Sequence, residues 1–181
     1  FAAAIMVWIS TVADWGFNFT ATRDVSKNRE NIDKVSEIFS NVLWARLSLM
    51  IISFCVLLIL IIAVAVFRND YAVILITFLM IPGHICCPEW FFQAMQRMKY
   101  ITYINIGIKL FFTICVFIFI HKPSDYLYQP LLISIGYFLS GIFAFYLIVK
   151  RWGVKIYKPN VKEIYLTIKG STAVFVHNIF P

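Results

Sequence analysis

Charge is what this chain has least of. Only 14% of its 181 residues are Asp, Glu, Lys or Arg, where soluble domains carry about 25%. Acidic residues are the scarcer kind, nine against sixteen Lys and Arg. The hydrophobic residues, 61% of the chain, gather in long blocks, which excludes a soluble globular domain and points to an integral membrane protein. In such a protein the net charge of +7 reports topology, not nucleic acid. Cysteine offers no metal-ligand spacing. Cys55, Cys115 and the adjacent pair Cys86 and Cys87 all lie in apolar runs. Adjacent cysteines resist disulfide geometry, so all four read as small apolar side chains in lipid or at helix contacts. An initiator methionine is also lacking. The chain opens on Phe1 and closes in an apolar stretch at Pro181, and so reads as a fragment cut inside one membrane helix and at the start of another. Asn18-Phe19-Thr20 fits the glycosylation pattern but falls within or at the edge of a span, and is discounted.

What is present is a series of apolar runs separated by short polar turns. The expected fold is all-α, a polytopic helical membrane protein, with spans over residues 1–22, 45–67, 71–96, 100–120 and 128–149 and a further helix beginning over 170–181. The first span carries one charge, Asp14. Between the first two, Ile32, Val35, Ile38, Phe39 and Val42 recur at helical spacing, which predicts a short amphipathic helix lying at the interface. Pro82-Gly83 is expected to kink the third span, and Glu89 is its only formal charge. Lys109 interrupts the fourth. A short loop containing Pro123 follows, and the basic stretch 150–169 reads as interfacial.

Lys and Arg distribute unevenly between the two sides. Residues 23–34, 97–99 and 150–169 hold twelve of the sixteen, whereas Arg68 and Lys122 stand alone on the other side. The rich loops, 23–44, 97–99 and 150–169, therefore face the cytoplasm. Depth follows from helical rise. Asp14 precedes Arg23 by a distance of about 13 Å, Glu89 precedes Arg97 by about 12 Å, and Lys109 follows Lys99 by about 15 Å. Half a hydrocarbon core is also about 15 Å, so three ionisable groups share a level near the midplane. A charge at that depth is costly and marks function.

Each of these groups belongs to a polar stripe. The stripes are Thr11, Asp14, Asn18 and Thr22; Glu89, Gln93 and Gln96; and Thr102, Asn105, Lys109 and Thr113. The second span has no such stripe and reads as lipid-facing or packed. Three half-polar helices turned inward would line a wet cavity. The plainer reading has Lys109 pairing with Glu89 or Asp14 to fix helix packing. His84 reads as a core histidine rather than a proton carrier. Trp15 and Trp90, beside the charges, would stack on sugar rings or pack as ordinary aromatics.

Asp14-Trp15-Gly16-Phe17-Asn18 followed by Ala21-Thr22-Arg23-Asp24 resembles the second-helix signature of bacterial O-antigen and polysaccharide repeat-unit flippases, the Wzx-like members of the multidrug/oligosaccharidyl-lipid/polysaccharide exporter superfamily. Pro88-Glu89-Trp90-Phe91-Phe92-Gln93, with Met98 beyond it, resembles that family's fourth-helix motif. Lys109 falls where members often carry a lysine. Ala94 and Gln96 depart from the pattern, standing where Gly and Glu are common.

The resemblance implies a two-lobed transporter working by alternating access, of which this chain covers the second to the start of the seventh helix. Its implied substrate is an undecaprenyl-diphosphate-linked oligosaccharide, moved across the bacterial inner membrane. Lys109, Arg23, Arg46, Trp90, Gln93 and Asn105 are the candidate substrate contacts. Arg23 and Arg46 are expected at the cytoplasmic mouth, where an anionic headgroup would gain charge-assisted hydrogen bonds. Asp14 and Glu89 are the candidates for coupling, with a proton or sodium ion as the coupled species and no cofactor. Membrane lipids and glycan polymerase or assembly proteins are the implied partners; nucleic acid is not.

Two further readings compete. A drug or cation antiporter of the same superfamily would want a net acidic cavity, which Lys109 offsets. A membrane enzyme acting on polyprenyl-linked sugars would want sizeable loops with acidic clusters. Here Asp70 and Asp125 are the only acids outside, so no covalent chemistry is expected.

Overall fold

In lipid, a helix satisfies its own backbone polar groups, and this chain is helical wherever its apolar runs dictate. The computed structural model describes residues 2–122 and 127–179. Pro123 and Asp125, assigned above to a short loop, lie outside the described residues, as do Phe1, Phe180 and Pro181. The elements are α1 (Ala2–Asp14), α2 (Phe17–Lys27), α3 (Ile32–Ala63), α4 (Ala65–Asn69), α5 (Tyr71–Phe78), α6 (Met80–Cys86), α7 (Glu89–Ala94), α8 (Lys99–Phe119), α9 (Tyr128–Trp152) and α10 (Val161–Ile179). Among the described residues there is no strand. Four stretches are long and apolar enough to cross a membrane: Ile32–Ala63, Tyr71–Ala94, Lys99–Phe119 and Tyr128–Trp152.

The first correction concerns α3. Asn31 caps it, its Oδ1 accepting from the Lys34 N–H at 3.0 Å, and Asp33 suits the positive end of its first turn. No breaker follows, so the expected interfacial helix and the second span form one helix of 32 residues. Its apolar stripe is not at an interface. Val35, Phe39 and Val42 are buried in the protein. Ser36 and Ser40 share that face and hold down an extended strap after α9. Ser36 Oγ accepts from the Lys155 N–H at 3.0 Å, and Ser40 Oγ accepts from the Tyr157 N–H at 2.9 Å. Further along, the Trp44 indole N–H donates to the Tyr157 carbonyl at 3.0 Å.

The expected first span is broken. Trp15 has φ 37° and Gly16 φ 72°, which separates α1 from α2. Gly16 also lies against the backbone of α10, where a Cβ would come 3.1 Å from Phe175 N and Ser171 O. Trp15 stacks on Phe175 with ring centroids 4.0 Å apart and donates to Thr172 Oγ1 at 3.3 Å. These contacts offset a left-handed conformation that a bulky residue adopts at a cost.

The third span is divided at Leu79 and at Cys87-Pro88, not at Pro82. Pro82 falls in the first turn of α6, where a missing N–H costs nothing. Gly83 instead allows close helix crossing. A Cβ there would lie 2.5 Å from the Tyr137 carbonyl carbon of α9, and one on Gly141 would lie 2.5 Å from Gly83 O. Small residues at such a crossing are how membrane helices bring their backbones together. α9 ends at Gly153, φ 67°, and α10 begins at Val161, nine residues before the expected start, because Pro159 and Asn160 prepare a helix entrance.

Two buried clusters result. One gathers Phe17, Val25, Phe39, Trp90, Phe91, Phe92 and Ile148 around α2, α7 and the first half of α3. The other gathers Met6, Ile9, Leu57, Ile74, Ile81 and Ile85 around α1, α5 and α6. α8 lies largely outside both, with Ile104 its one buried side chain among the described residues.

Candidate functional site

Two polar groupings stand at membrane depth, one sealed between the clusters and one open. The sealed one begins at the end of α1. There the negative end of the helix and the Asp14 carboxylate both call for a cation. Arg46 supplies it. Its Nη2 donates to Asp14 Oδ1, and its side chain is 3% exposed. The other carboxylate oxygen, Oδ2, lies 3.5 Å from His84 Nε2 on α6. Ala45, beside Arg46, belongs to the first cluster, whereas Ala13 and Ile85, beside Asp14 and His84, belong to the second. The triad thus occupies the seam between them.

This corrects the expectation for Arg46. It lies near the middle of α3, in register with the buried stripe Val35, Phe39, Val42, Leu49, and does not stand at a mouth. The signal was present in the sequence as an unbroken helical spacing running from Ile32 through Leu49. Reading Arg46 as the end of a loop concealed it. The second expected span therefore does contribute a polar group, and His84 is a partner of Asp14 instead of an isolated core histidine.

The open grouping joins α7 and α8. Glu89 is exposed, and Asn105 Nδ2 donates to its Oε1 at 3.2 Å. Gln93, Gln96, Thr102, Lys109 and Thr113 are exposed as well. Lys109 has no hydrogen bond or ion pair among the described residues. Neither Glu89 nor Asp14 neutralises it, so the pairing considered from sequence does not occur. Asp14 likewise makes no bond to Glu89 or Lys109. The breaks at Trp15-Gly16 and Cys87-Pro88 explain why. Depth counted along a straight helix does not survive them.

Trp90 is corrected too. It is 2% exposed, its ring 5.8 Å from Phe39, within an aromatic core that includes Phe91, Phe92, Tyr100 and Trp152. No face is open to a sugar ring. Its indole N–H and the Nε–H of Arg46 are both buried without a partner among the described residues, and both residues line one small cavity. Across from it, the Thr22 hydroxyl donates to the Trp90 carbonyl at 3.3 Å, tying α2 to α7.

Arg23 is exposed at the far end of α2 and pairs with its neighbour Asp24 at 3.0 Å. It borders a cleft of about 170 Å³ between α2, α3 and α10, whose polar wall includes Thr20, Asn41, Thr167 and Ser171. Thr20 and Ser171 share a hydrogen bond of 2.7 Å there. Among the described residues no His, Cys, Asp and Glu group could hold a metal ion.

Two curated proteins resemble the chain over most of its length. Both carry the description "Putative O-antigen transporter". The one from Escherichia coli (strain K12) is 30% identical over 150 residues, covering 82% of this chain and 36% of its own length. The one from Shigella dysenteriae is 26% identical over 180 residues, covering 96% of this chain and 43% of its own. The chain thus spans less than half the length of these relatives. No solved structure matches it. A family model described as polysaccharide biosynthesis protein matches residues 1–180. With its apolar crossing helices and its match along nearly the whole length, the chain is a multi-pass membrane protein that belongs to the polysaccharide biosynthesis protein family.

Proposed function

We propose that the protein to which this chain belongs moves an undecaprenyl-diphosphate-linked oligosaccharide from the cytoplasmic to the periplasmic leaflet of the bacterial inner membrane, by alternating access. The observation that carries this reading is Lys109. It lies midway along an apolar crossing helix, exposed, with no anionic partner among the described residues. An ammonium group at that depth needs an anion, and a diphosphate headgroup provides one through charge-assisted hydrogen bonds. A cationic substrate would be repelled. Kinship with two O-antigen transporter relatives supports the same substrate class.

In this reading Gln93 and Asn105 offer hydrogen bonds to the sugar on the open face. Arg23 receives the headgroup at its cleft on the cytoplasmic side. Glu89 carries the coupling proton, and Asp14 is the second carboxylate available for coupling. Loops 23–44, 97–99 and 150–169 are cytoplasmic, and glycan polymerase or assembly proteins are the partners that would take the exported unit. Arg46 and Trp90 support the site from within the core and do not touch the substrate.

The test is glycan export in a strain lacking its native gene, complemented with the full-length protein. Lys109→Ala is expected to lower export by about tenfold or more, and Lys109→Arg to retain most of it, since loss of a charged hydrogen bond costs about 1.5–3 kcal/mol. Unchanged export in Lys109→Ala would end the diphosphate role.

A further inference from the structure

The Asp14–Arg46–His84 triad contains one group that the transport reading leaves idle. Its three side chains differ in access: Arg46 is 3% exposed, Asp14 23% and His84 33%. The guanidinium is sealed, while the imidazole can be reached without opening the core. Arginine keeps its proton in proteins. Histidine is the side chain that ordinarily changes charge between about pH 5 and 8. With Asp14 and Arg46 in contact, the triad is neutral overall when His84 is neutral and carries one positive charge when His84 is an imidazolium.

The elements packed on α6 leave His84 few other charged neighbours. α1 brings Asp14 and α3 brings Arg46. α9 brings Tyr137, edge-on with ring centroids 6.3 Å apart. α5 brings only Tyr71, at its opposite end, and α6 itself continues into Cys86 and Cys87. Phenols and thiols are ordinarily uncharged through most of that pH range. Asp14 is therefore the group that a protonated His84 addresses.

We propose that His84 is a positioning residue, the proton-loading member of the triad, and that its charge sets how firmly α6 is held to the break between α1 and α2. The two segments it joins lead directly to the site. α6 runs through Cys87-Pro88 into Glu89, and the break runs through α2 to Arg23. Protonation adds a charge-assisted contact to Asp14 Oδ2 and ties the segments together; deprotonation leaves that oxygen without its cation and loosens them. The consequence for export rests on the transport reading above; the titration itself does not.

Two measurements on the full-length protein separate these. In detergent micelles, the histidine ¹³Cε1 resonances are followed by NMR from about pH 5 to 8. A resonance that titrates in the wild type and is missing in His84→Gln identifies His84, and Asp14→Asn is expected to displace its midpoint by about half a pH unit or more. A resonance that stays fixed across the range, or one that Asp14→Asn leaves in place, overturns the proposal. If His84→Gln does not fold, His84→Asn makes the assignment. In the second measurement, wild-type glycan export at equalised pH changes several-fold across the same range, and His84→Gln reduces that change to less than about twofold. Equal pH profiles in the two would also overturn it. A protein that exports no glycan at any pH would end the transport reading, while the NMR result would still decide the role of His84.

Discussion

Arg46 shows what burial does to a charge. Its guanidinium is neutralised by Asp14 inside the protein, so removing one partner strands the other. Arg46→Ala is expected to destabilise the protein by about 3–5 kcal/mol, read from thermal unfolding in detergent. The double variant Asp14→Leu with Arg46→Met is expected to recover most of that loss, because both charges leave together and apolar groups fill the space. A double variant no more stable than Arg46→Ala would mean that the ion pair is not what the site depends on. The residue type was readable from the sequence, and so was its spacing within the apolar stripe of α3. Its partner was not, because nothing in a linear chain says that α1 stops at Asp14 and turns its end toward α3.

Among the elements, α6 and α9 form the tightest crossing, and two glycines permit it. A Cβ on Gly141 would meet Gly83 O at 2.5 Å, a distance that backbone cannot yield cheaply. Gly141→Ala is expected to cost about 1–3 kcal/mol through forced separation of the helices. Gly107 on α8 makes the control, since a Cβ there meets nothing within 4 Å. Gly107→Ala is expected to stabilise by up to about 1 kcal/mol, the ordinary gain from replacing glycine inside a helix. Both are measured as shifts of the thermal midpoint; a loss at Gly107 equal to that at Gly141 would refute the crossing argument. The Pro82-Gly83 pair was legible as a special position, but its job was misread. Proline and glycine both accompany bends, and only the neighbouring helix reveals that glycine here admits a close approach.

At the scale of the whole molecule, the uneven placement of Lys and Arg makes a prediction about sidedness. Single cysteines in place of Glu30 and Lys155 are expected to resist a membrane-impermeant thiol reagent applied from outside intact cells, in a background where the four native cysteines are replaced. Ready labelling at either position would overturn the topology. The two positions belong to one side in the fold as well. The strap carrying Lys155 is held on Ser36 and Ser40, near the start of α3, and Lys155 Nζ lies 3.3 Å from Asp33 Oδ1. The open polar face of α7 and α8 is the other property of the whole. It was anticipated as part of one vestibule shared with Asp14; the chain instead keeps Asp14 in a sealed seam and leaves Glu89, Gln93 and Lys109 on the open surface.

The sequence by itself determined that this is a helical membrane protein and which family it resembles. Apolar runs of crossing length leave no alternative in lipid, where each backbone group must find its partner within the segment. The motifs around Asp14 and Glu89 are local strings, legible without a fold. Tertiary structure alone decided which polar groups meet. The reason is geometric: breaks at Trp15-Gly16, Leu79 and Cys87-Pro88 redirect the chain by amounts that helical periodicity does not encode. One such turn is enough to give Asp14 to Arg46 and His84 and to leave Lys109 without an anion among the described residues.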